Sequence, residues 1–299
     1  MPKLNHETRN MLKGLAFISP WLVGFSLFMF LPIVLSLYYS FCDYTVIQSP
    51  VAVGLANYRR LFHDEVFAKA LQVTLYYAAI SVPMGLGVSL GVALLLNRPV
   101  RGQPIFRTLI FLPSLVPTIA SAILWKWLFN RKLGLINWML NPLLKHFGLS
   151  GPPWLDQPGW VIPSLALMSV WSVGNTVIIY LAGLQDVPRE LYEAADLDGA
   201  SALQRLFHVT LPMISPVIFF NLVMAVIGVL QVFDTPFMMT QGGPNRASYF
   251  FTYYLYNNAF TFLHMGYASA LAWIQLLLVL ALTGIAFWSS KKWVHYQGK

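Results

Sequence analysis

The sequence is poor in the residues that soluble and disulfide-bonded proteins use. Only 10% of its 299 residues are charged, whereas a soluble domain carries about a quarter. The single cysteine, Cys42, excludes an intrachain disulfide, and no paired Cys/His spacing indicates a metal site. The sequence contains no GxxxxGKS/T phosphate-binding loop. These shortages exclude an ordinary soluble domain and machinery for ATP hydrolysis of that type.

What the sequence has instead is long apolar runs, because 57% of its residues are hydrophobic. A helix needs about 20 apolar residues to cross roughly 30 Å of hydrocarbon. We predict six such spans, numbered in chain order: 15–41, 71–96, 105–129, 160–184, 213–233 and 265–289. Pro113 and Pro117 are expected to bend span 3, whereas Gly85, Gly87 and Gly91 give span 2 small surfaces suited to close helix packing.

The first apolar run could also be a signal peptide, whose apolar core covers only about 7–15 residues. Residues 15–37 form a longer run that ends at Tyr38, so we predict an uncleaved span. The net charge of +8 lies in short clusters between apolar runs, which is typical of membrane topology signals and not of a nucleic-acid interface. With the N-terminus in the cytoplasm, the inner segments hold more lysines and arginines than the outer ones, Lys3 and Lys299 included. We therefore predict cytoplasmic termini.

The loop between spans 4 and 5, residues 185–212, is the charged segment that carries helix signals. Glu190 suits the first turn of a helix, and Gly199 follows the helix-forming run RELYEAADLD where a helix would end. Ser201 and Gln204 have the spacing of a capping box. We predict a helix–turn–helix at the cytoplasmic surface.

The acidic side chains of this loop favour a protein partner over lipid headgroups, because basic residues are the rule in cytoplasmic loops. Glu190, Glu193 and Ala194 share one face of the predicted helix. Ala195 and Gly199 add little bulk, so another backbone could approach closely. The alternative is an amphipathic surface helix without a partner.

The end of the loop completes a recognisable pattern. Glu193-Ala194-Ala195 is followed after three residues by Gly199, and after nine more by Val209, one residue and Leu211-Pro212. This pattern resembles the cytoplasmic signature of permease subunits from binding-protein-dependent ABC importers, which has isoleucine where this chain has Val209. Further residues resemble the carbohydrate branch, in particular first permeases of the maltose and glycerol-phosphate type: Pro20-Trp21, Pro32, Gly54-Leu55-Ala56-Asn57-Tyr58 and Gly242-Gly243-Pro244.

The resemblance implies a fold and a coupling site. The fold would be an all-α polytopic membrane protein with the six-helix bundle of a type I ABC importer permease. A cytoplasmic coupling helix between helices 4 and 5 would dock on an ATPase, and Glu193 would pair with one of its basic residues. A side chain at Gly199 would collide with the packed turn or forbid a positive φ. The implied coupling residues are Glu190, Glu193, Ala194, Ala195, Gly199, Leu211 and Pro212.

The resemblance also implies partners and a location. The partners would be a second homologous permease subunit, an ATPase dimer that binds ATP and Mg, and a solute-binding protein. This chain would bind no cofactor and no nucleic acid. Residues 1–299 would form a single permease domain, surrounded by lipid, in a bacterial or archaeal cell (inner) membrane, and residues 185–212 would be its coupling loop.

A sugar pathway needs polar side chains for hydroxyls and aromatic faces for C–H surfaces. Polar residues inside a membrane are costly unless they face the bundle or a wet cavity. The family places its sugar site mainly on the spans that flank the coupling loop, which favours Ser172, Asn175 and Gln231, with Asn175 and Gln231 in one cavity. The alternative is that these residues only hydrogen-bond between helices.

Three other functions stay open. The chain could be an ABC permease for another solute class, such as amino acids or phosphate. A secondary transporter would need a mid-membrane carboxylate or broken helices in paired halves, and we expect neither. A membrane enzyme would need clustered His, Asp and Glu or a nucleophile–base set, so we predict no catalytic and no metal-binding residues.

Overall fold

The computed structural model describes residues 6–99 and 101–295. Lys3 and Lys299, which contribute to the predicted orientation, lie outside the described residues. In chain order the helical elements are His6–Phe25, Ser26–Phe30 (π), Leu31–Ser40, Ala56–Phe62, Glu65–Leu96, Gln103–Phe111, Leu112–Leu115 (3-10), Thr118–Leu128, Leu135–His146, Pro158–Val170, Gly174–Gln185, Arg189–Leu197, Ala202–Arg205, Leu206–Thr210 (π), Leu211–Met213, Ser215–Leu230, Asp234–Met239, Phe251–Tyr256, Asn257–Thr261 (π) and Met265–Ser290.

The described residues contain six candidate spans when each bent helix pair is counted once, as predicted. The three continuous helices that are long and apolar enough to cross a membrane are Asn10–Ser40, Glu65–Leu96 and Met265–Ser290. The three bent pairs are Gln103–Leu115 with Thr118–Leu128, Pro158–Val170 with Gly174–Gln185, and Ala202–Met213 with Ser215–Leu230. All six overlap the predicted apolar runs, so the all-α polytopic fold class is confirmed.

Span 3 bends by 96° between its two helices, where its prolines predicted a bend. Val116 leaves the helical conformation, with φ −75° and ψ 128°. A residue that precedes a proline avoids the α region because the proline ring clashes with its backbone. Pro117 therefore sets the position of the break, and the first limb tightens into a 3-10 turn that contains Pro113.

Spans 4 and 5 are also broken, by 52° and 66°, whereas the sequence predicted a bend in span 3 only. In span 5 the break falls at Ile214, between Pro212 and Pro216, which both lack the N–H that would continue the helix. In span 4 the second helix begins at Gly174. A Cβ added at Gly174 would lie 2.7 Å from the carbonyl oxygen of Ile110, so glycine permits this close contact with span 3.

The chain divides into two compact units. One combines the residues up to His63 with Leu255–Ile274, and the other combines Asp64–Tyr254 with the residues from Gln275 onward. Span 6 contributes residues to both units. The single membrane domain over residues 1–299 therefore stays a prediction.

The first unit contains a small sheet that the helical prediction lacks. Cys42–Asp43 and Val51–Ala52 pair as two antiparallel strands. The side-chain amide of Asn57 donates to the carbonyl oxygens of Ser40 (3.0 Å) and Cys42 (2.9 Å). This asparagine belongs to one of the family-like motifs, and these bonds fix the turn that follows span 1.

The second unit contains a buried cluster to which spans 2, 4 and 5 contribute. The buried members are Ala93, Leu96, Val177, Tyr180, Leu181, Leu184, Val187 and Ile214. We call this set the core cluster, and it lies at the ends of the spans that flank residues 185–212.

The glycines of span 2 do not act as predicted within this chain. A Cβ added at Gly85, Gly87 or Gly91 would meet no atom within 4 Å. Close helix packing at these glycines is therefore absent from the described part of the chain. Open space, and not a neighbouring helix, lies over each of these glycines.

Candidate coupling helix and polar cavities

A short helix, Arg189–Leu197, lies between spans 4 and 5 at the position that the sequence predicts. We call it the surface helix. It begins directly after Pro188, whose fixed φ suits a helix start, and Glu190 occupies its first turn. A carboxylate there faces the positive end of the helix dipole, which favours this start site.

The surface helix ends at Gly199, which has a φ of +72°. The Gly199 amide donates to the carbonyl oxygen of Asp196 (3.1 Å), and the Ala200 amide donates to that of Ala195 (2.9 Å). These two bonds form a Schellman motif, which needs a left-handed residue at this position. A Cβ added at Gly199 would meet no atom within 4 Å, so the expected collision is wrong within this chain, and the positive φ is what favours glycine.

All residues of the surface helix are exposed except Tyr192 and Ala195, which are half-buried. Glu190, Glu193, Ala194 and Leu197 are exposed and follow the i, i+3, i+4, i+7 spacing of a single face. Leu197 is 90% exposed, and sequence reasoning missed it although its spacing from Glu190 was available. Ala195 lies on the other side of the helix and is half-buried, so the structure does not bring it onto this face.

The opposite face anchors the surface helix to the spans. Tyr192 packs against the core cluster. Its hydroxyl oxygen lies 3.1 Å from Oγ1 of Thr210, which is buried near the start of span 5. The surface helix is thereby attached to the spans through a packed aromatic ring and a hydrogen bond.

A second limb returns the chain to span 5. The Ser201 hydroxyl accepts from the Gln204 amide (3.4 Å), and the Gln204 side chain accepts from the Ser201 amide (2.8 Å), which is the predicted capping box. An ion pair between Arg205 and Asp196 connects this limb to the surface helix. Leu211 packs against the core cluster, so both limbs rest on the same apolar base.

Two of the predicted pathway residues line one cavity. It has a volume of about 300 Å³, and Ser172 and Asn175 are both on its wall. Spans 2, 3 and 4 and the helix Asp234–Met239 contribute to it. The full lining is Tyr77, Ser114, Val116, Thr118, Ser121, Leu165, Met168, Ser169, Trp171, Ser172, Asn175 and Thr235.

A second cavity of about 340 Å³ adjoins the first, because both share Tyr77 and Ser169. Span 2 supplies Tyr77, Ser81, Gly85 and Ser89 to its wall. These residues recur at every fourth position, which places them on one helical face. This spacing was available in the sequence, and the prediction missed it because it considered only the spans beside the charged loop.

Gln231 is not among the lining residues of either cavity. It is exposed at the end of the helix Ser215–Leu230. The buried glutamine of the region is instead Gln275 on span 6, whose amide donates to the carbonyl oxygen of Leu230 and to Oγ1 of Thr252, both at 2.8 Å. The predicted cavity shared by Asn175 and Gln231 is therefore absent from the described cavities.

The two cavities contain hydroxyl, amide and aromatic groups and no charged side chain. Such walls can hydrogen-bond a neutral polar solute but cannot relay a proton through a carboxylate. Among the residues that the structure describes, no group of three or more His, Cys, Asp or Glu is placed to hold a metal ion. Six spans, uncharged polar cavities and a surface helix anchored to the spans together define a membrane transport subunit.

The family match agrees with this class. Residues 81–295 match the family described as "Binding-protein-dependent transport system inner membrane component". The chain belongs to this family. The resemblance to ABC importer permeases is thereby confirmed, and the chain is a permease subunit of an ABC transporter and not an enzyme.

Individual relatives cover nearly the whole chain. The probable ABC transporter permease protein YesP of Bacillus subtilis (strain 168) is 38% identical over 100% of this chain and 97% of its own length. The sulfoquinovosyl glycerol transport system permease protein SmoG of Agrobacterium fabrum (strain C58 / ATCC 33970) is 34% identical, over 90% of this chain and 87% of its own. A chain of a bacterial alginate ABC transporter, solved in complex with alginate pentasaccharide-bound periplasmic protein, has a TM-score of 0.83 and 24% identity over 97% of this chain and 98% of that chain. The last comparison supports the fold alone.

Proposed function

We propose that this chain forms one half of the translocation pathway of an ATP-driven importer for a sugar or sugar derivative delivered by an extracytoplasmic binding protein. Membership of the binding-protein-dependent family supports the delivery step. The likeness to a sulfoquinovosyl glycerol permease over 90% of the chain supports a sugar derivative as substrate. The uncharged cavities also support it, because the aromatic faces of Tyr77 and Trp171 lie beside hydroxyl and amide groups.

One observation carries the coupling role, namely the two unlike faces of the surface helix. The exposed face presents the carboxylates of Glu190 and Glu193 beside the nearly fully exposed Leu197. A cleft on an ATPase with an apolar floor and a basic rim would complement this face. In this proposal Glu193 forms the ion pair, Leu197 enters the cleft, and Ala194 permits close approach.

The anchored face explains how docking becomes movement. Tyr192 and Leu211 pack on the core cluster that joins spans 2, 4 and 5. Closure of the docked ATPase dimer would therefore displace these spans as a rigid body. Gly199 and Pro212 act in this proposal by fixing the turn and the break that give the loop its shape, and Ala195 acts through its carbonyl in the helix end.

The proposed assembly contains further chains. An ATPase dimer has two docking clefts and this chain supplies one surface helix, so a second homologous permease subunit belongs to the proposal. ATP and Mg bind to the ATPase, and this chain binds no cofactor. The single permease domain, residues 1–299, spans the lipid of a bacterial or archaeal cell inner membrane with its termini and its coupling loop, 185–212, in the cytoplasm.

The coupling role is tested by charge reversal on the exposed face. We expect Glu193→Lys to release the ATPase, because loss of one partner of a buried charged pair at an interface costs about 2–5 kcal/mol. The measurement is the amount of ATPase that co-purifies with the permease, together with substrate-stimulated hydrolysis in reconstituted membranes. Asp198→Lys is the matched control, since it is exposed beyond the last residue of the helix. Normal retention and normal transport in Glu193→Lys would remove the surface helix from the coupling role.

The pathway role is tested with leucine substitutions. Asn175→Leu and Ser172→Leu are expected to lower sugar uptake while ATPase retention stays normal, because each removes a polar group from the cavity wall. Thr108→Leu is the control, since Thr108 is a polar residue of span 3 outside both linings. Gln231→Leu tests whether Gln231 belongs to the pathway although it lines neither cavity. A loss of sugar uptake as large as that of Asn175→Leu would keep Gln231 in the pathway, and normal uptake would remove it. Normal uptake in both cavity variants would show that these side chains only support helix packing.

A further inference from the structure

A third cavity, of about 600 Å³, lies beyond the C-terminal end of the helix Thr118–Leu128. It differs from the two uncharged cavities in the charge of its wall. Its lining residues are Lys126, Phe129, Asn130, Arg131, Lys132, Leu155, Asp156, Met239, Thr240, Gly243 and Pro244. We call it the basic cavity.

Positive charge dominates this wall. Lys126, Arg131 and Lys132 oppose the single carboxylate of Asp156. In the described part of the chain none of these four groups forms a salt bridge, since the ion pair there is the one between Arg205 and Asp196. Cations that share a concave wall without an ion-pair partner create a positive potential, which concentrates anions.

The backbone around these cations is held in place. The side-chain oxygen of Asn130 accepts from the amides of Lys132 (3.0 Å) and Leu133 (2.9 Å), which fixes the turn that carries Arg131. The Lys126 ammonium donates to the carbonyl oxygen of Met238 (3.3 Å). The basic cavity is therefore formed by a defined turn and a tethered lysine.

Two helices contribute to both the basic cavity and the 300 Å³ cavity. The helix Thr118–Leu128 contributes Ser121 to the 300 Å³ cavity and Lys126 to the basic cavity, and the helix Asp234–Met239 contributes Thr235 and Met239 in the same order. At a rise of about 1.5 Å per residue, the two levels lie roughly 6–8 Å apart along these helices. In the proposed orientation the basic cavity is the outer level, so a solute would reach it first.

We propose that the basic cavity receives the acid group of an anionic sugar before the sugar enters the uncharged cavity. This inference rests on the proposed function and specifies its substrate class as sugars that carry a carboxylate, sulfonate or phosphate. Lys126, Arg131 and Lys132 hold the anion, and Asp156 weakens its binding so that the sugar can move on.

Direct binding to the assembled complex in lipid nanodiscs, without the binding protein, tests this inference. The probes are glucuronate, glucose 6-sulfate and glucose 6-phosphate against glucose, which share one ring. We expect at least one anionic probe to bind tenfold or more tightly than glucose, with a preference that falls at high salt. Single Lys126→Gln, Arg131→Gln or Lys132→Gln variants should each weaken that probe about fivefold, the factor for one unit charge at about 4 Å in water. Asp156→Asn should strengthen it by a similar factor, and Lys145→Gln, outside the lining, should change nothing.

The outcomes separate this inference from the proposed function. A triple variant combines Lys126→Gln, Arg131→Gln and Lys132→Gln. Equal binding of all four probes by the native complex, or an unchanged anion preference in this triple variant, would overturn the inference. Loss of binding-protein-stimulated hydrolysis in that variant, with its anion preference intact, would also overturn it and assign the cations to docking of the binding protein. In all of these outcomes the permease complex would still retain the ATPase and bind glucose. A failure of the proposed function would instead appear as a native permease that does not co-purify with an ATPase.

Discussion

Segments 185–212 and 130–157 are both built from short helices and turns, but different kinds of bonds hold them. In segment 185–212 the bonds that shape the turns join near neighbours, as in the capping box of Ser201 and Gln204, and one longer-range bond, between Tyr192 and Thr210, connects the two limbs. The turns of this segment are therefore set by residues that are neighbours in the sequence.

In segment 130–157 several hydrogen bonds meet at one buried side chain. Asn137 is 1% exposed and accepts from the indole of Trp154 (2.8 Å). Its amide also donates to the carbonyl oxygens of Arg131 (3.0 Å) and Pro152 (3.1 Å). One buried side chain thus joins both ends of the segment. The comparison teaches that the turns around the surface helix are encoded locally, whereas the segment that carries Arg131 and Lys132 of the basic cavity depends on a central side chain.

The largest expected effect comes from a substitution that disrupts segment 130–157. Asn137→Leu leaves the Trp154 indole and two carbonyl groups without their partner, at a cost on the order of 3 kcal/mol. Amide hydrogen exchange across residues 131–154 should therefore accelerate about a hundredfold. Asn141→Leu is the control, because Asn141 makes one bond, to the Gly151 amide (3.1 Å). Similar acceleration in the two variants would contradict a central role for Asn137.

The next effect comes from substitutions at Tyr192, which change the anchored side of segment 185–212 and leave its exposed face intact. Tyr192→Ala removes a packed ring from the core cluster, which costs about 2–3 kcal/mol. We expect the ATPase to stay bound, because the exposed face is unchanged, while sugar transported per ATP hydrolysed falls severalfold in reconstituted vesicles. Tyr192→Phe keeps the ring and loses only the bond to Thr210, at about 1 kcal/mol, so its coupling should stay near normal. Normal coupling in Tyr192→Ala would show that the anchor does not transmit movement.

The smallest effect is expected from substitutions at Gly199, in the turn that ends the surface helix. Gly199→Val places a β-branched side chain at positive φ, which costs about 1–2 kcal/mol, and should lower ATPase retention. Gly199→Asn should retain the ATPase, since asparagine adopts this conformation readily. Ser201→Ala should lower ATPase retention no more than Gly199→Val does, because an exposed cap contributes about 1 kcal/mol. Equal losses in the valine and asparagine variants would mean that a partner surface, and not the backbone, requires glycine.

Much of the fold could be predicted because its signals are local. Apolar runs located all six spans, the prolines located the break in span 3, and the positions of Gly199 and Ser201 located the helix end and the cap. Each of these features depends on the chemistry of a few neighbouring residues. The same locality explains why segment 185–212 matched its prediction so closely.

The features that the sequence did not predict depend on tertiary contacts. The break in span 4 accompanies the contact of Gly174 with the backbone of Ile110. Gln231 and Gln275 are both glutamines in or beside apolar spans, and only their surroundings make one exposed and the other buried. Asn137 lies in the helix Leu135–His146, in a segment without any motif. Periodicity alone cannot assign such positions, because it shows which residues share a face but not what that face contacts.

The central claim is that the exposed face of the surface helix contacts the ATPase. A photoreactive amino acid at position 197 of the assembled complex tests it most directly, because Leu197 is 90% exposed and its replacement leaves the anchor intact. Trp138, which is 73% exposed in segment 130–157, is the matched position. The account predicts a covalent adduct with the ATPase from position 197 and none from position 138. The absence of an ATPase adduct at position 197, in a complex that still contains the ATPase, would contradict it.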